Sequence, residues 1–584
     1  MAVVHSRFAP LDLPEKDIFS FIFERNRPIC TENHTIFQDA DTDKAYSYAD
    51  VRRLAQGFGQ GLKAKFQWRN GEVLSLFAAN SIDIPAVMLG ALWAGGIFSP
   101  INPGYTVGEL VNQLNDSRPR AIVTQLQLLE TVKESLNIAK MSKTIIILLG
   151  DERDPTGRVP HFTSVRNISG STRYQPAKVD PKNDTALLVY SSGTTGKPKG
   201  VKLSHYNVTS NISQLQPGDQ EYLTWNGSKT CGDIPLPKSG CGDRVLVCAP
   251  LFHIYGLTKS IINPLYTGTT AIVMVRFEIE KWCALVQKHS ITFSYLVPPI
   301  VLLLCKHPVV SSYDLSSIRM ANSGAAPLSQ GMIESCLKRT GIRVKQSYGM
   351  TETCPTVFNQ TWDDWNNPIG SAGQLLPNVE AKICPPSISE IPTASDDLEP
   401  EGLPQGEVGE LYVRGPNVFL GYHNNPIATA DCLSPTGWYR TGDVGYIDAR
   451  RTLFITDRVK ELIKYNGFQV APAELEGYLL DHPLVNNCAV VGIQSEALST
   501  EVPMAYIILK SGAKAANKEQ AESIIQWLNS RVAGHKKLRG GIKFVSEIPK
   551  SASGKILRRV LKEWAKAEGS KGSAMGAEVV RARL

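Results

Sequence analysis

The chain has 584 residues, of which 42% are hydrophobic and 20% charged, and its 62 basic and 55 acidic side chains leave a formal charge of +7. This length predicts more than one domain, and the composition is typical of a globular protein with a large core. No long basic block interleaves with aromatic residues, which argues against nucleic-acid binding. The eleven cysteines are scattered and form no CxxC pair, so we expect reduced thiols and neither a disulfide framework nor a zinc site.

The first half of the chain has the pattern of a layered α/β protein. The N-terminal segment lacks a long apolar run behind a basic start, so we expect no secretory signal. The most apolar stretch, Ile84 to Pro100, is shorter than the ~20 residues of a membrane span, and we interpret it as a buried helix. Short apolar runs such as EVLSLFAAN, KTIIILLG, TALLVYSS and DRVLVCAP alternate with helical segments. This alternation predicts parallel sheets covered by helices on both faces.

The segment Tyr190 to His205, YSSGTTGKPKGVKLSH, directly follows an apolar run. Its small residues would let backbone N–H groups approach an anion closely, which is typical of a phosphate-binding loop. It is not a Walker loop, because Ser191 replaces the first glycine and Pro198 follows Lys197 where a serine or threonine is required. A solvated glycine turn is the alternative for such a motif on its own.

Two segments, 218–242 and 385–406, are rich in Gly or Pro, and we expect them to be surface insertions. Beyond Asp457 the pattern of predicted strands and helices is typical of a small α+β domain of about a hundred residues. The predicted domains are therefore a large one over 1–457, a small lid over 458–567 and a flexible tail over 568–584. The tail ends in Ala582-Arg583-Leu584, which fits the Ser-Lys-Leu class of peroxisomal address, read by an import receptor. A frayed tail with a chance match is the alternative.

Four further motifs follow the loop in order. They are SYGMTET at 347–353, WYRTGDVGYID at 438–448, DRVKELIKYNGFQVAPAELE at 457–476 and PKSASGKILRR at 549–559. Together the five motifs resemble the core motifs of the acyl-adenylating (AMP-binding) superfamily, which includes acyl- and aryl-CoA synthetases, adenylation domains of peptide synthetases and beetle luciferases. The resemblance covers nearly the whole chain. FHIYGL and SGAAPLS are most similar to 4-coumarate–CoA ligases and peroxisomal acyl-CoA synthetases.

This resemblance implies a fold with a large N-terminal domain of parallel sheets, a β-subdomain and a small mobile C-terminal domain. It also implies an acid–CoA ligase that uses ATP, Mg²⁺ and coenzyme A, and that forms an acyl-AMP before the thioester. The implied catalytic residues are Thr351 at the α-phosphate, Glu352 as Mg²⁺ ligand, Lys555 between the two reacting anions, and His253 as a gate beside the acid. The implied ATP-binding residues are Ser191, Ser192, Gly193, Thr194, Thr195, Gly196, Lys197, Lys199, Ser323, Gly324, Ala325, Ala326, Gln346, Tyr348, Gly349, Asp443 and Arg458. In this set Tyr348 would stack on adenine, Asp443 would bind the ribose, and a structural salt bridge is the alternative for Arg458.

For the second step, the resemblance implies rotation of the small domain about a hinge at Lys460. The rotation would withdraw Lys555 and present Lys464, Gly467 and Gln469 to coenzyme A. Asn466 departs from the pattern, because relatives often have lysine there, and this puts one phosphate contact in doubt.

The resemblance also implies an acid pocket. Its lining would comprise Tyr255, Ser323, Gly324, Ser347, Cys354 and Pro355. No charged side chain falls plainly on these positions, which favours an apolar aryl or fatty acid. An enzyme that loads a carrier protein in trans, a luciferase-like oxygenase and a catalytically silent nucleotide-binding module are the alternatives.

Overall fold

The computed structural model describes residues 3–42, 44–166, 174–191, 198–219, 222–227, 237, 242–326, 328–366, 370–385, 399–458, 461–465, 468–495, 498, 500–510, 517–551 and 554–569. These residues form an α/β protein with a large N-terminal domain and a smaller C-terminal one, as the sequence predicts. The predicted boundary at 457/458 stays a prediction.

A seven-stranded sheet comes mostly from the first third of the chain. In spatial order it contains β19 (Gly421–Tyr422), β9 (Lys199–Ser204), β8 (Thr185–Ser191), β5 (Ile97–Ile101), β4 (Val73–Phe77), β6 (Ala121–Thr124) and β7 (Ile145–Leu148). The pairs from β8 to β7 are parallel, whereas β9 returns antiparallel to β8 as a hairpin. The predicted phosphate-binding loop is the connection of this hairpin.

A second sheet of fourteen strands runs through the described part of the large domain. In spatial order it contains β1 (Val4–His5), β17 (Glu380–Cys384), β18 (Gly409–Arg414), β20 (Tyr439–Ile447), β21 (Thr452–Arg458), β16 (Gly373–Leu375), β15 (Thr356–Asn359), β14 (Val344–Gly349), β13 (Met320–Ser323), β12 (Phe293–Leu296), β10 (Arg244–Val247), β11 (Thr270–Val273), β2 (Thr35–Asp39) and β3 (Ala45–Ser47). Pairing is parallel from β2 to β14 and becomes antiparallel at β15. The antiparallel half is the β-subdomain.

Helices cover these sheets. Those of the large domain are α1 (Ile18–Phe23), α2 (Tyr48–Phe66), α3 (Ile84–Trp93), α4 (Val107–Ser117), α5 (Leu129–Ile138), α6 (Phe162–Arg166), α7 (His205–Asp219), α8 (Ile254–Leu257), α9 (Asn263–Thr267), α10 (Ile279–His289), α11 (Pro298–Lys306), α12 (Gln330–Thr340) and α13 (Pro426–Ala430). Every residue of α3 is buried, which confirms a core helix for the first part of the most apolar stretch. The prediction is wrong for Ile97 to Pro100, which belong to β5. Among the helices described, none is both long and apolar enough to cross a bilayer.

Local sequence explains where the long helices begin. Ser47 accepts a hydrogen bond from the Asp50 amide, and the Asp50 side chain accepts one from the Ser47 amide, so both form a capping box at the start of α2. Thr106 and Glu109 do the same for α4. The four apolar runs quoted above contain β4, β7, β8 and β10, respectively. The alternation of apolar runs and amphipathic segments therefore predicted the layers correctly.

The small domain has its own core. Its sheet contains β24 (Val485–Ser495), β25 (Thr500–Leu509) and β26 (Gly541–Phe544), and its helices are α14 (Pro472–Leu480), α15 (Lys518–Asn529) and α16 (Arg558–Gly569). A hairpin of β22 (Ile463–Tyr465) and β23 (Phe468–Val470) precedes them. The domain packs on the large one at α11, where Lys306 Nζ donates to the Asn486 carbonyl at 3.0 Å.

The expectation for the first insertion is wrong in its described part. Leu223 is buried in a cluster with Tyr255, Phe293, Tyr295 and Trp362, so this segment packs into the large domain instead of covering its surface. The segment packs inward because Leu223 and the adjacent Tyr222 add apolar surface to this cluster of aromatic side chains. Most of 228–241, and all of 386–398, lies outside the described residues.

Candidate active site

A cavity of about 920 Å³ lies between the two domains. The large domain lines it where β12, β13 and β14 end: Pro298 and Pro299 follow β12, Ala325 and Ala326 follow β13, and Ser347 to Gly349 close β14. In sheets of this kind, ligands bind at the carboxyl ends of parallel strands. The cavity therefore lies at the place where the fold itself favours a binding site.

The structure brings many of the predicted ATP-binding residues to this cavity. They are Ala325, Ala326, Gln346, Tyr348, Gly349, Asp443 and Arg458, with Lys555 facing them from the small domain. These residues come from four separate stretches of sequence, so their convergence depends on the tertiary fold.

Asp443, Tyr348 and Arg458 form one hydrogen-bonded group. The Tyr348 hydroxyl donates to Asp443 Oδ2 at 2.7 Å, and Arg458 Nε lies 2.9 Å from Asp443 Oδ1. The carboxylate raises the pKa of Arg458, and burial followed by the same carboxylate raises the pKa of Tyr348. Asp443 therefore accepts from both neighbours, and its two oxygens retain lone pairs for further donors. The ion pair that the sequence left as an alternative for Arg458 is present.

Glu352 is held on a short 3₁₀ turn, Thr351–Thr353, and is buried. Its Oε1 accepts hydrogen bonds from Ser191 Oγ at 3.2 Å and from the Tyr422 hydroxyl at 3.0 Å. Its Oε2 accepts no hydrogen bond from the residues described, and so can take another ligand. Lys199 pairs with Ser191 across β8 and β9, and its Nζ lies 4.9 Å from the centroid of the Tyr422 ring. Sequence analysis missed Tyr422, because no local motif marks it.

Lys555 is fixed by a tight turn. The Ser551 amide donates to the Lys555 carbonyl at 2.8 Å, and the Lys555 amide donates to Ser551 Oγ at 3.2 Å. Burial, aided by the Arg458 charge, lowers the pKa of Lys555 to about 8, while Asp443 and Glu352 oppose this shift. The ammonium therefore lies within electrostatic reach of both carboxylates.

An ion-pair network anchors the chain just after this turn. Arg558 Nη2 lies 2.7 Å and 2.8 Å from the two carboxylate oxygens of Glu476, and its Nη1 lies 2.9 Å from Glu461 Oε2. Such bidentate pairs fix geometry as well as charge. The network positions the start of α16 three residues after Lys555, and sequence analysis did not identify it.

Three of the predicted acid-pocket residues, Tyr255, Gly324 and Ser347, lie next to one another. A Cβ placed on Gly324 would lie 3.3 Å from the Tyr255 ring and 3.4 Å from Ser347 Oγ. Both neighbours share one acceptor, because Tyr255 OH and Ser347 Oγ each donate to Asn322 Oδ1 at 3.0 Å. Asn322 is a second residue that the motifs did not reveal.

His253 caps the start of α8, where its Nδ1 accepts from the Tyr255 amide at 3.2 Å. Burial and the Lys555 charge lower the pKa of His253 to about 4, so the imidazole is neutral at pH 7. His253 and Lys555 therefore lie within electrostatic reach of each other.

Two backbone features show how tightly these loops approach one another. A Cβ on Gly349 would lie 1.7 Å from the Pro355 carbonyl oxygen, so only glycine fits there. Ala325 has a φ of 73°, a left-handed conformation that alanine rarely adopts. Strain of this kind is concentrated at functional sites.

Some predicted residues are not at the cavity. Lys464 is exposed on β22 and does not line it, and Cys354 is fully buried. The loop 192–197, the hinge residue Lys460, Asn466 and Gly467 lie outside the described residues, as does the side chain of Gln469. Within the described ranges, no group of three or more His, Cys, Asp or Glu side chains could hold a metal ion.

Comparison with known proteins agrees with this geometry. The family model described as AMP-binding enzyme matches residues 25–423, and the model of its C-terminal domain matches residues 474–555. A probable 4-coumarate–CoA ligase 1 of Dictyostelium discoideum is 35% identical over 96% of this chain and 97% of its own length. The 4-coumarate–CoA ligase of Vanilla planifolia is 35% identical, with 95% and 94% covered.

Solved structures agree as well. The anthranilate CoA ligase AuaEII, crystallised in complex with anthranoyl-AMP, is 25% identical and superposes with a TM-score of 0.80 over 96% of this chain and 99% of its own. With the motifs, the cavity and these matches in agreement, the chain belongs to the AMP-binding enzyme family.

Proposed function

We propose that this chain is an ATP-dependent acid–CoA ligase that converts an apolar aryl or fatty acid to its acyl-AMP and then to its CoA thioester. The observation that carries the proposal is that Lys555, Asp443 and Arg458 line one interdomain cavity, with the Glu352 carboxylate within electrostatic reach of Lys555. The similarity to proteins named as CoA ligases supports it.

In the first step, a carboxylate oxygen forms a bond to the α-phosphorus of ATP, and the bond to pyrophosphate breaks. The carboxylate is already ionised at pH 7, so no general base is required, and the neutral His253 would lie beside it without taking a proton. The protein therefore acts by positioning and by charge neutralisation. Lys555 supplies the cation between the two anions, while Tyr348 and Asp443 orient the nucleoside.

A magnesium ion fits the chemistry of Glu352. Mg²⁺ prefers oxygen ligands and needs only one or two carboxylates when phosphates and waters complete its coordination. Glu352 would hold it through Oε2, because Oε1 is occupied by Ser191 and Tyr422. The ion would neutralise phosphate charge.

In the second step, the sulfur of coenzyme A bonds to the acyl carbon and AMP leaves. The proposal retains a rotation about Lys460 that exposes Lys464, Gly467 and Gln469 to the thiol. The exposure of Lys464 outside the cavity fits a residue that acts only after such a rotation.

The proposal is tested by incubating the purified protein with ATP, Mg²⁺, coenzyme A and a panel of cinnamic, phenylacetic and short- to long-chain fatty acids. We expect acid-dependent pyrophosphate release with an equal amount of CoA thioester, and loss of both on removal of Mg²⁺ with EDTA. Pyrophosphate without thioester would favour transfer to a carrier protein or oxidation of the acyl-AMP. No acid-dependent pyrophosphate from any acid would contradict the proposal.

The pKa of Lys555 predicts a pH dependence for the first step. The side chain is an ammonium below about 8 and loses its charge above that pH. We therefore expect kcat/KM for ATP, measured by pyrophosphate release without coenzyme A, to fall about tenfold per pH unit above this value, since kcat/KM reports the free enzyme. In Lys555→Arg, whose guanidinium stays charged, the remaining activity should not fall in this range. A wild-type profile that stays level to pH 10 would contradict the role.

The proposal places the enzyme in the peroxisome, because Ala582-Arg583-Leu584 fits a tripeptide address. We expect a fluorescent protein fused in front of the full chain to colocalise with a peroxisomal marker. Removal of the last three residues should leave the fusion diffuse, while an Arg583→Lys variant, which keeps the charge, should still be imported. Identical distributions with and without the tripeptide would reject this assignment.

A further inference from the structure

Lys259 is a buried cation that the proposed chemistry does not use. Its side chain is almost completely inaccessible, with a relative exposure of 1%. Its Nζ forms no hydrogen bond or ion pair with any residue in the described ranges, and lies 5.9 Å from the centroid of the Tyr295 ring. A buried charge is costly unless it is paired, so an unpartnered lysine at such a position calls for a ligand.

The neighbouring carboxylate is already engaged. Lys345 Nζ lies 2.5 Å from Asp219 Oδ1 and also donates to Asn359 Oδ1 at 3.1 Å and to the Gln360 carbonyl at 2.8 Å. This satisfies all three protons of Lys345. Burial lowers the pKa of Lys259 to about 7, Asp219 opposes the shift, and Lys345 adds to it. Two buried lysines thus lie near one carboxylate, and no other anion pairs with Lys259 among the residues that the structure describes.

Lys259 is close in the chain to a residue of the predicted acid pocket. It follows Tyr255 by one helical turn, and the ring of Tyr255 packs edge-on against Tyr295 with centroids 5.8 Å apart. The other side of Tyr255 contacts Gly324 and shares Asn322 with Ser347, both of which belong to the predicted pocket. The chain around Lys259 forms a π-helical turn, Thr258–Ile262, and such turns are frequent at functional sites.

His253 and Lys259 lie at the two ends of this helical segment. His253, at the start of α8, is within electrostatic reach of Lys555, the residue that would activate the carboxylate. Lys259 is six residues further, which corresponds to about 9 Å along a helix. An acid that lay along this segment with its carboxylate at Lys555 would have its remote end on the side of Lys259, near Tyr255 and Tyr295.

We propose that Lys259 is a specificity-determining residue, which pairs with an anionic group at the end of the acid remote from the carboxylate that is activated. The inference rests on the proposed function and refines its substrate: the body of the acid is apolar, and its remote end carries a second carboxylate. Sequence analysis found no charge among the predicted pocket positions, because Lys259 lies one turn beyond the motif that marks them.

Electrostatics favour such a substrate over an apolar one. A bound anion stabilises the ammonium form of Lys259, so ligand and lysine form a charged pair in a site of low dielectric. A substrate without the second anion leaves Lys259 unpaired or neutral. A site built to pair a polar group rejects analogues that lack it, because its own polar group is then left unsatisfied.

The test compares matched acids: cinnamic with 4-carboxycinnamic acid, and octanoic with octanedioic acid. Acid-dependent pyrophosphate release gives kcat/KM for each, in the wild-type protein and in Lys259→Met, which keeps the length of the side chain without its charge. We expect the wild type to prefer the dicarboxylic member of at least one pair by about tenfold or more. Lys259→Met should lose that preference and retain or improve its activity on the monocarboxylic acids. Lys133→Met, at an exposed lysine of α5, is the matched control and should behave as wild type.

Two results would overturn the inference: a wild-type preference for the monocarboxylic member of both pairs, or a ratio that Lys259→Met leaves unchanged. If Lys259→Met does not fold, the wild-type ratios alone decide. Failure of the proposed function looks different, because then no acid of either kind releases pyrophosphate, and the inference falls with it.

Discussion

The charge balance around Lys555 is the constraint on which the rest of the site depends. Its ammonium belongs to the small domain, whereas the carboxylates of Asp443 and Glu352 belong to the large one. The guanidinium of Arg458, at the end of β21, pairs with Asp443. Each of these groups is held by further contacts, Glu352 by Ser191 and Tyr422, and Asp443 by Tyr348. In this relative arrangement the two domains bring opposite charges together, which suits a reaction between two anions.

The fold explains why this arrangement forms here. Three parallel strands end side by side at β12, β13 and β14, and the sheet changes to antiparallel pairing at β15. The loops that follow these strands line the cavity. At Gly349 the backbone lies directly against the Pro355 carbonyl, with no room for a side chain between them. Because backbone atoms, and not bulky side chains, form the cavity wall at the ends of these strands, a planar base has room to bind there.

The sequence predicted the layers and much of the site for physical reasons. Apolar runs predict buried strands. Tyr348, Asp443 and Lys555 could be predicted because each lies in a short motif that is recognisable in the local sequence. Tyr422 and Asn322 were missed because their roles arise from contacts between distant segments. The pairing of Asp219 with Lys345, 126 positions apart, leaves no local pattern either. The wrong expectation for the first insertion has the same origin, since the burial of Leu223 depends on tertiary packing.

The central claim is that Lys555 serves formation of the acyl-AMP and not the transfer to coenzyme A. The most direct measurement separates the two half-reactions in Lys555→Met: pyrophosphate release from ATP and acid, and thioester formation from supplied acyl-AMP and coenzyme A. The account predicts a loss of about 10²-fold or more in the first, as for other preorganised charges, and little change in the second. Equal losses in both half-reactions, or an unchanged first one, would contradict it.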